Sequence, residues 1–238
     1  MKIAIILNGV MRYLAPTGRS GIKLVLDDYI RVVDSLNESF KGCDVDIYYH
    51  TWNSTAEYSF DQDEWNEKLK VKENIVKVIF EDQLTYNDVC QLPKNSYSLG
   101  QRNNYSCMSI YNCFKALRTL VSAVKESGQT YDYILRIRND VIFKTDVKSL
   151  IQEAKTGKLC VPDVYGNMYG PNDHMLFSRA EHQLRVFDKT FEEIKAIVGC
   201  SHDQEHVTYK IVTECGKFEV HKFHVPVYEI LREVYGRK

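Results

Sequence analysis

The sequence predicts an α/β fold, with a mostly parallel central sheet flanked by helices. Three observations carry that prediction. Apolar runs of strand length, such as 2–7, 45–52 and 75–81, alternate with segments whose apolar residues fall at helical spacing. The chain has 238 residues, enough for one large domain. No repeat, low-complexity tract or Pro/Gly-rich linker divides it.

The elements follow in order. KIAIIL at 2–7 is apolar from Ile3 to Leu7, as a strand buried on both faces must be. In 21–40, Leu26, Tyr29, Ile30, Val33 and Leu36 make one face of a helix. Second and third strands are expected at 45–52 and 75–81, with a short polar helix at 61–70 between them. The stretch 82–102 lacks periodicity and reads as a long loop, a length usually kept for function. A helix over 104–126 carries Met108, Tyr111, Cys113, Leu117, Leu120 and Val124 as its apolar stripe. A strand at 131–143, a helix at 146–155 and a strand at 158–162 come next. The Gly/Pro/Asn-rich loop 163–173 then leads into a strand at 174–178. Helices near 180–197 and 202–214 and a strand at 217–225 complete the pattern, Ser201 and Gln204 forming a capping box for the second helix.

Bulk properties remove several classes. Net charge is −1, which argues against broad electrostatic binding to nucleic acid. The longest apolar runs are strand-sized, so no transmembrane segment is expected. The first apolar run is interrupted at Asn8 with no small-residue cleavage site, and is read as a strand, not a signal peptide. The seven cysteines are scattered without a C-x-x-C pair, the pattern of buried free thiols in a reducing cytoplasm.

In an open α/β sheet, ligands sit at the carboxyl ends of the strands. Asn8-Gly9-Val10-Met11-Arg12, His50-Thr51-Trp52 and Asp140 all fall there. The first turn is neither G-x-G-x-x-G nor a P-loop, but Gly9 permits a turn and Arg12 can reach a phosphate. The stretch LRIRNDVIF, 135–143, places Arg136, Arg138 and Asp140 at alternate positions, on one face of a continuous strand. Three unpaired buried charges would be prohibitive. Either the strand end opens into a polar site, or the charges neutralise one another.

These residues resemble the glycosyltransferases of GT-A type. The segment Arg136-Ile137-Arg138-Asn139-Asp140 is similar to the R-x-R-x-D pattern of small bacterial surface-polysaccharide and chlorovirus glycosyltransferases. Gly9-x-x-Arg12, His50-Thr51-Trp52 and the segment from Asn172 to Phe177 look like the same group. The resemblance implies a single GT-A-like (nucleotide-diphospho-sugar transferase) domain over 1–238, with 1–143 binding the nucleotide sugar and 144–238 the acceptor. It implies transfer from a nucleotide diphosphate donor, UDP-linked, to a glycan hydroxyl, with inversion, in the cytoplasm. Such enzymes hold Mn²⁺ or Mg²⁺ on the donor pyrophosphate with an Asp-any-Asp motif. Here Arg138 stands where the first of those acids would be, leaving Asp140 as the metal ligand.

The chemistry asks for the same residue types. Negative charge grows on the departing nucleoside diphosphate, and a carboxylate-held cation or an Arg fork can meet it. Gly9, Arg12, Trp52, Arg136, Arg138 and Asn139 are the candidate donor-binding residues, Trp52 and Tyr13 being able to stack on a ring. An inverting transfer needs a base, and Asp173 is placed for it, with Asp203 and Glu205 in reserve. His221 and His224 are candidate extra metal ligands.

Two competing readings stay open. His202 and His206 in H-D-Q-E-H stand one helical turn apart, as in a zinc hydrolase, and nothing else in the chain supports that class. The other is a nucleotide- or glycan-binding module of the same fold without turnover.

Overall fold

Strand β1 (Lys2–Asn8) lies inside the sheet, parallel to β2 (Asp44–Trp52) on one side and β4 (Tyr133–Arg138) on the other. The computed structural model describes residues 1–9, 26–53, 62–84, 102–144, 147–162, 174–189, 193, 207–208, 210–223 and 228–230. Between and beyond these strands run α1 (Leu26–Ser39), α2 (Gln62–Lys70), β3 (Ile75–Glu81) and α3 (Arg102–Glu126). Then follow β5 (Val141–Phe143), α4 (Val147–Lys155), β6 (Leu159–Pro162), β7 (Met175–Arg179) and α5 (Ala180–Phe187). A π-helical turn (Lys210–Cys215), β8 (Val220–Phe223) and β9 (Tyr228–Ile230) close the order.

Seven strands form one sheet in the order β3-β2-β1-β4-β7-β6-β8. From β3 to β4 every pairing is parallel, β7 runs antiparallel to both neighbours, and β6 and β8 are again parallel. The mostly parallel α/β architecture expected from the sequence is the one observed.

Alternation of side chains sorts β1 into two cores. Ile3, Ile5 and Leu7 face α1, α2 and α4, together with Tyr49, Leu135, Ile137 and Phe177. Ala4 and Ile6 face α3 and α5, together with Tyr48, Ile134 and Leu176. Each such fully buried aliphatic side chain contributes about 1.5–3 kcal/mol. In α1 the expected stripe is seated as its spacing demands, Leu26, Tyr29, Val33 and Leu36 being buried and Ile30 half-buried. Asp27 and Asp28 in its first turn complement the helix dipole. Gln183 of α5, fully buried, donates through Nε2 to the carbonyls of Ile134 (2.6 Å) and Leu176 (2.9 Å), tying that helix to the β4–β7 junction.

The structure departs from the expected elements in five places. The strand expected over 131–143 breaks at Asn139–Asp140, just past the last register pair of β1 and β4, Asn8 with Arg138. The chain turns there, and β5 pairs with β9 in a separate two-stranded ribbon. The helix expected over 180–197 leaves helical geometry at Asp188, whose φ/ψ is −82°/56°. The end of the helix expected at 202–214 is π-helical: the Gly216 amide donates to the Ile211 carbonyl, five residues back, at 2.9 Å. The late strand is shorter than expected, starting at Val220, and β9 has no counterpart among the expected strands. Among the described residues no helix is long and apolar enough to cross a membrane.

Candidate functional site at the carboxyl edge of the parallel strands

The parallel strands end in a polar row. Asn8 is the register partner of His50 on one side and of Arg138 on the other, and Glu81 ends the next strand beyond His50. Asn8 is 4% exposed and His50 fully buried, so the row closes the α3-facing layer of the sheet at its carboxyl edge.

Arg136 lies one residue pair deeper, opposite Ile6 and Leu176, and is 3% exposed. Its Nε donates to Asn8 Oδ1 at 3.2 Å, and Nη2 lies 3.5 Å from Cys113 Sγ of α3. Arg138 and Asp140 form a fork: Nε donates to Oδ1 at 3.0 Å and Nη2 to Oδ2 at 2.6 Å. The Arg138 and Asp140 side chains are 18% and 11% exposed. Because Asp140 stands in the turn after β4, the turn and not strand alternation sets its direction. Its carboxylate folds back onto Arg138.

Asn139 points inward. It is 1% exposed, its Nδ2 donates to Tyr49 Oη at 3.4 Å, and its backbone amide donates to the Asn8 carbonyl at 3.2 Å. Burial pushes the Tyr49 phenol pKa up, with the Asn139 hydrogen bond opposing it. A Cβ on Gly9 would sit 2.1 Å from Asn139 Oδ1. The sequence suggested a turn glycine, whereas the requirement seen here is room for the Asn139 amide beside the backbone.

At the β3 side, His50 Nε2 donates to Glu81 Oε2 at 3.0 Å, and Lys115 Nζ lies 3.4 Å from the other carboxylate oxygen. Burial opposes ionisation of Glu81, but the His50 hydrogen bond and the Lys115 charge outweigh it and lower its pKa. His50 Nδ1 and Thr51 Oγ1 are buried without a hydrogen-bond partner. Trp52 is 6% exposed, edge-on to His50 at 4.6 Å, with Lys115 Nζ 5.8 Å above its ring. A cavity of about 490 Å³ opens between α3 and β3, walled by Ile79, Leu84, Tyr111 and Phe114 and reaching Glu81 and Lys115.

The lowered Glu81 pKa fixes the sign of a pH effect. The stabilisation is present above the unfolded value near 4.5 and is lost as pH falls through the lower folded value. Urea midpoints of the wild type and Glu81→Gln should therefore differ at pH 7 and converge below about pH 4.5. A gap that stays constant with pH would show that Glu81 gains nothing from its ionised form.

Of the candidates from the sequence, Gly9, Trp52, Arg136, Arg138, Asn139 and Asp140 are described, and all lie at this edge. His221 stands on β8, three strands from β4 in the sheet order, 3.5 Å from Glu153. Arg12, Tyr13, Asp173, Asp203, Glu205 and His224 lie outside the described residues, as do His202 and His206. Sequence reasoning placed Asn8 at this edge without giving it a role, and missed Glu81 as a member of the row. Their signal was a polar residue closing an apolar strand. It also placed Cys113 in an apolar stripe, although its sulfur faces Asn8 and Arg136.

A divalent cation needs oxygen ligands converging on one point. Among the described residues no group of three or more His, Cys, Asp or Glu could hold one. Both oxygens of Asp140 accept from Arg138, and Asn139 is turned to Tyr49. Each Asp140 oxygen keeps a further lone pair beyond its Arg138 bond, so Asp140 could hold a cation while paired with Arg138.

No protein-family model matches the sequence, and no curated protein matches it. Several solved structures are similar to it at low identity. A protein from Desulfovibrio desulfuricans G20 assigned as a nucleotide-diphospho-sugar transferase aligns at 11% identity and TM-score 0.44, over 94% of this chain and 79% of that one. The galactosyltransferase LgtC, in complex with donor and acceptor sugar analogues, aligns at 11% identity and TM-score 0.47, over 89% of this chain and 70% of that one. An active-site mutant of LgtC aligns at 12% identity and TM-score 0.48, over 94% and 72%.

Proposed function

We propose that this chain is a glycosyltransferase that moves a sugar from a nucleotide diphosphate donor, a UDP-sugar, to a hydroxyl of a glycan acceptor with inversion. The observation that carries this reading is the polar row at the carboxyl edge of four parallel strands, which sets Asn8, Arg138 and Asp140 beside Gly9. Ligands of open α/β sheets bind at that edge. The buried unpartnered atoms of His50 and Thr51 support it, since an orphaned polar group costs about 1–3 kcal/mol and is kept where function needs it.

In this reading Gly9, Arg12, Trp52, Arg136, Arg138 and Asn139 frame the donor, Arg136 from behind through Asn8. The acceptor oxygen attacks the anomeric carbon as the bond from that carbon to the diphosphate oxygen breaks. The electron pair leaves on the diphosphate, and the acceptor proton passes to Asp173 as base.

A thermal-shift series of nucleotides and nucleotide sugars tests the donor site. The matching nucleoside diphosphate, present at a hundred times its Kd, should stabilise by about 2.7 kcal/mol. Incubation with the matching UDP-sugar and acceptor should then release UDP. Binding without release would leave a nucleotide-binding module, and no shift from any nucleotide would remove the donor site.

A further inference from the structure

We infer that the cavity between α3 and β3 is a binding site for an organic carboxylate, an apolar body carrying one negative charge that Arg118 receives. The inference stands on this cavity alone and does not need the donor-site reading.

Two periodicities build the cavity. β3 is an outer strand of the sheet, and Lys77, Ile79 and Glu81 alternate along it, so they share one face. Opposite them, α3 presents Phe114, Arg118 and Ser122, each one helical turn after the last. The space between is about 490 Å³, the size of a small-molecule site. Ile79, Leu84 and Phe114 give it apolar walls, against which an apolar body leaves water.

Charge decides what that body carries. An ion pair stands at each end of the cavity: Glu81 with Lys115 at 3.4 Å toward the carboxyl end of β3, and Lys77 with Glu126 at 3.4 Å toward its amino end. Lys189, beyond α5, lies 3.3 Å from Glu193. Arg118 is exposed, and it is the lining cation with no acid partner among the described residues. Its guanidinium fork matches a carboxylate bidentately, and the Ser122 hydroxyl on the same helix face can donate to the same group. Glu81 and Glu126 line the cavity as well, and their charges disfavour a second negative charge on the ligand. That selects a carboxylate over a phosphate monoester, which carries about −1.5 to −2 at pH 7.

The experiment titrates octanoate, octyl phosphate and octanol into the full chain by calorimetry, for wild type, Arg118→Gln and Ser122→Phe. Melting curves without ligand establish that each variant is folded. Octanoate should bind wild type more tightly than either of the other two. Arg118→Gln should weaken octanoate about tenfold or more, as for loss of hydrogen bonds to a charged group, and leave octanol unchanged. Ser122→Phe places a ring in the cavity and should remove binding of all three. Should that variant not fold, Arg118→Gln decides alone, since Arg118 is exposed and its replacement disturbs no core. Octanoate bound no more tightly than octanol, or unaffected by Arg118→Gln, would overturn the site. Octyl phosphate bound above octanoate would overturn the carboxylate. Loss of octanoate binding in excess UDP would make the cavity part of the donor site and overturn its separate standing.

Discussion

Phe177→Ala should destabilise the fold by about 3–5 kcal/mol, read as a drop in the urea midpoint at unchanged slope. Phe177 is fully buried and stacks on Tyr133, with centroids 5.4 Å apart and planes 16° from parallel. It stands opposite Leu135 in β4 and Cys160 in β6, at the junction between the parallel strands and the rest of the sheet. Truncation removes a large apolar side chain and leaves a void that α4 and the sheet can close only in part. A loss below about 1 kcal/mol would mean that the junction repacks freely and that β7 is not held by this core. The effect bears on function as well, since β7 supports β4 from Tyr133 to Ile137, just before Arg138.

Gly9→Ala should cost about 1–3 kcal/mol, and most of that cost should vanish when Asn139 is also replaced by alanine. The added methyl would lie 2.1 Å from Asn139 Oδ1 and 2.7 Å from its Cγ. No van der Waals contact is that short, so the Asn139 amide must leave its place against Tyr49. Because Asn139 precedes Asp140, the displacement reaches the turn that aims the carboxylate at Arg138. Denaturation of wild type, both single variants and the double variant completes the cycle. Strict additivity would separate Gly9 from Asn139, leaving Gly9 with a turn-forming role alone.

The local elements were largely legible because each depends on short-range pattern. The stripe through Leu26, Tyr29, Val33 and Leu36 needs only helical spacing and an interior to face. The all-apolar run from Ile3 to Leu7 needs only a sheet covered on both sides. Both are in place as their spacing requires. The carboxyl-edge location of Gly9, Trp52 and the 136–140 segment followed from the alternation of strands and helices.

How neighbouring polar groups divide among themselves was a different matter. An alternating Arg-x-Arg-x-Asp reads as three charges on one face for as long as the strand continues. The break falls just past the register pair of Arg138 with Asn8 of β1, and β1 lies at the far end of the chain. Pairing with β9 and the antiparallel entry of β7 are likewise long-range matters, with no signature in either strand alone. The α/β class, the two-sided burial of β1 and the gathering of polar strand ends at one edge are all written in local pattern. Three pairings are not: Arg136 turned to Asn8 and Cys113, Asn139 filling the space above Gly9, and Asp140 committed to Arg138. Periodicity fixes which face a residue takes, but the partner a charge finds there is set by whichever element packs against that face.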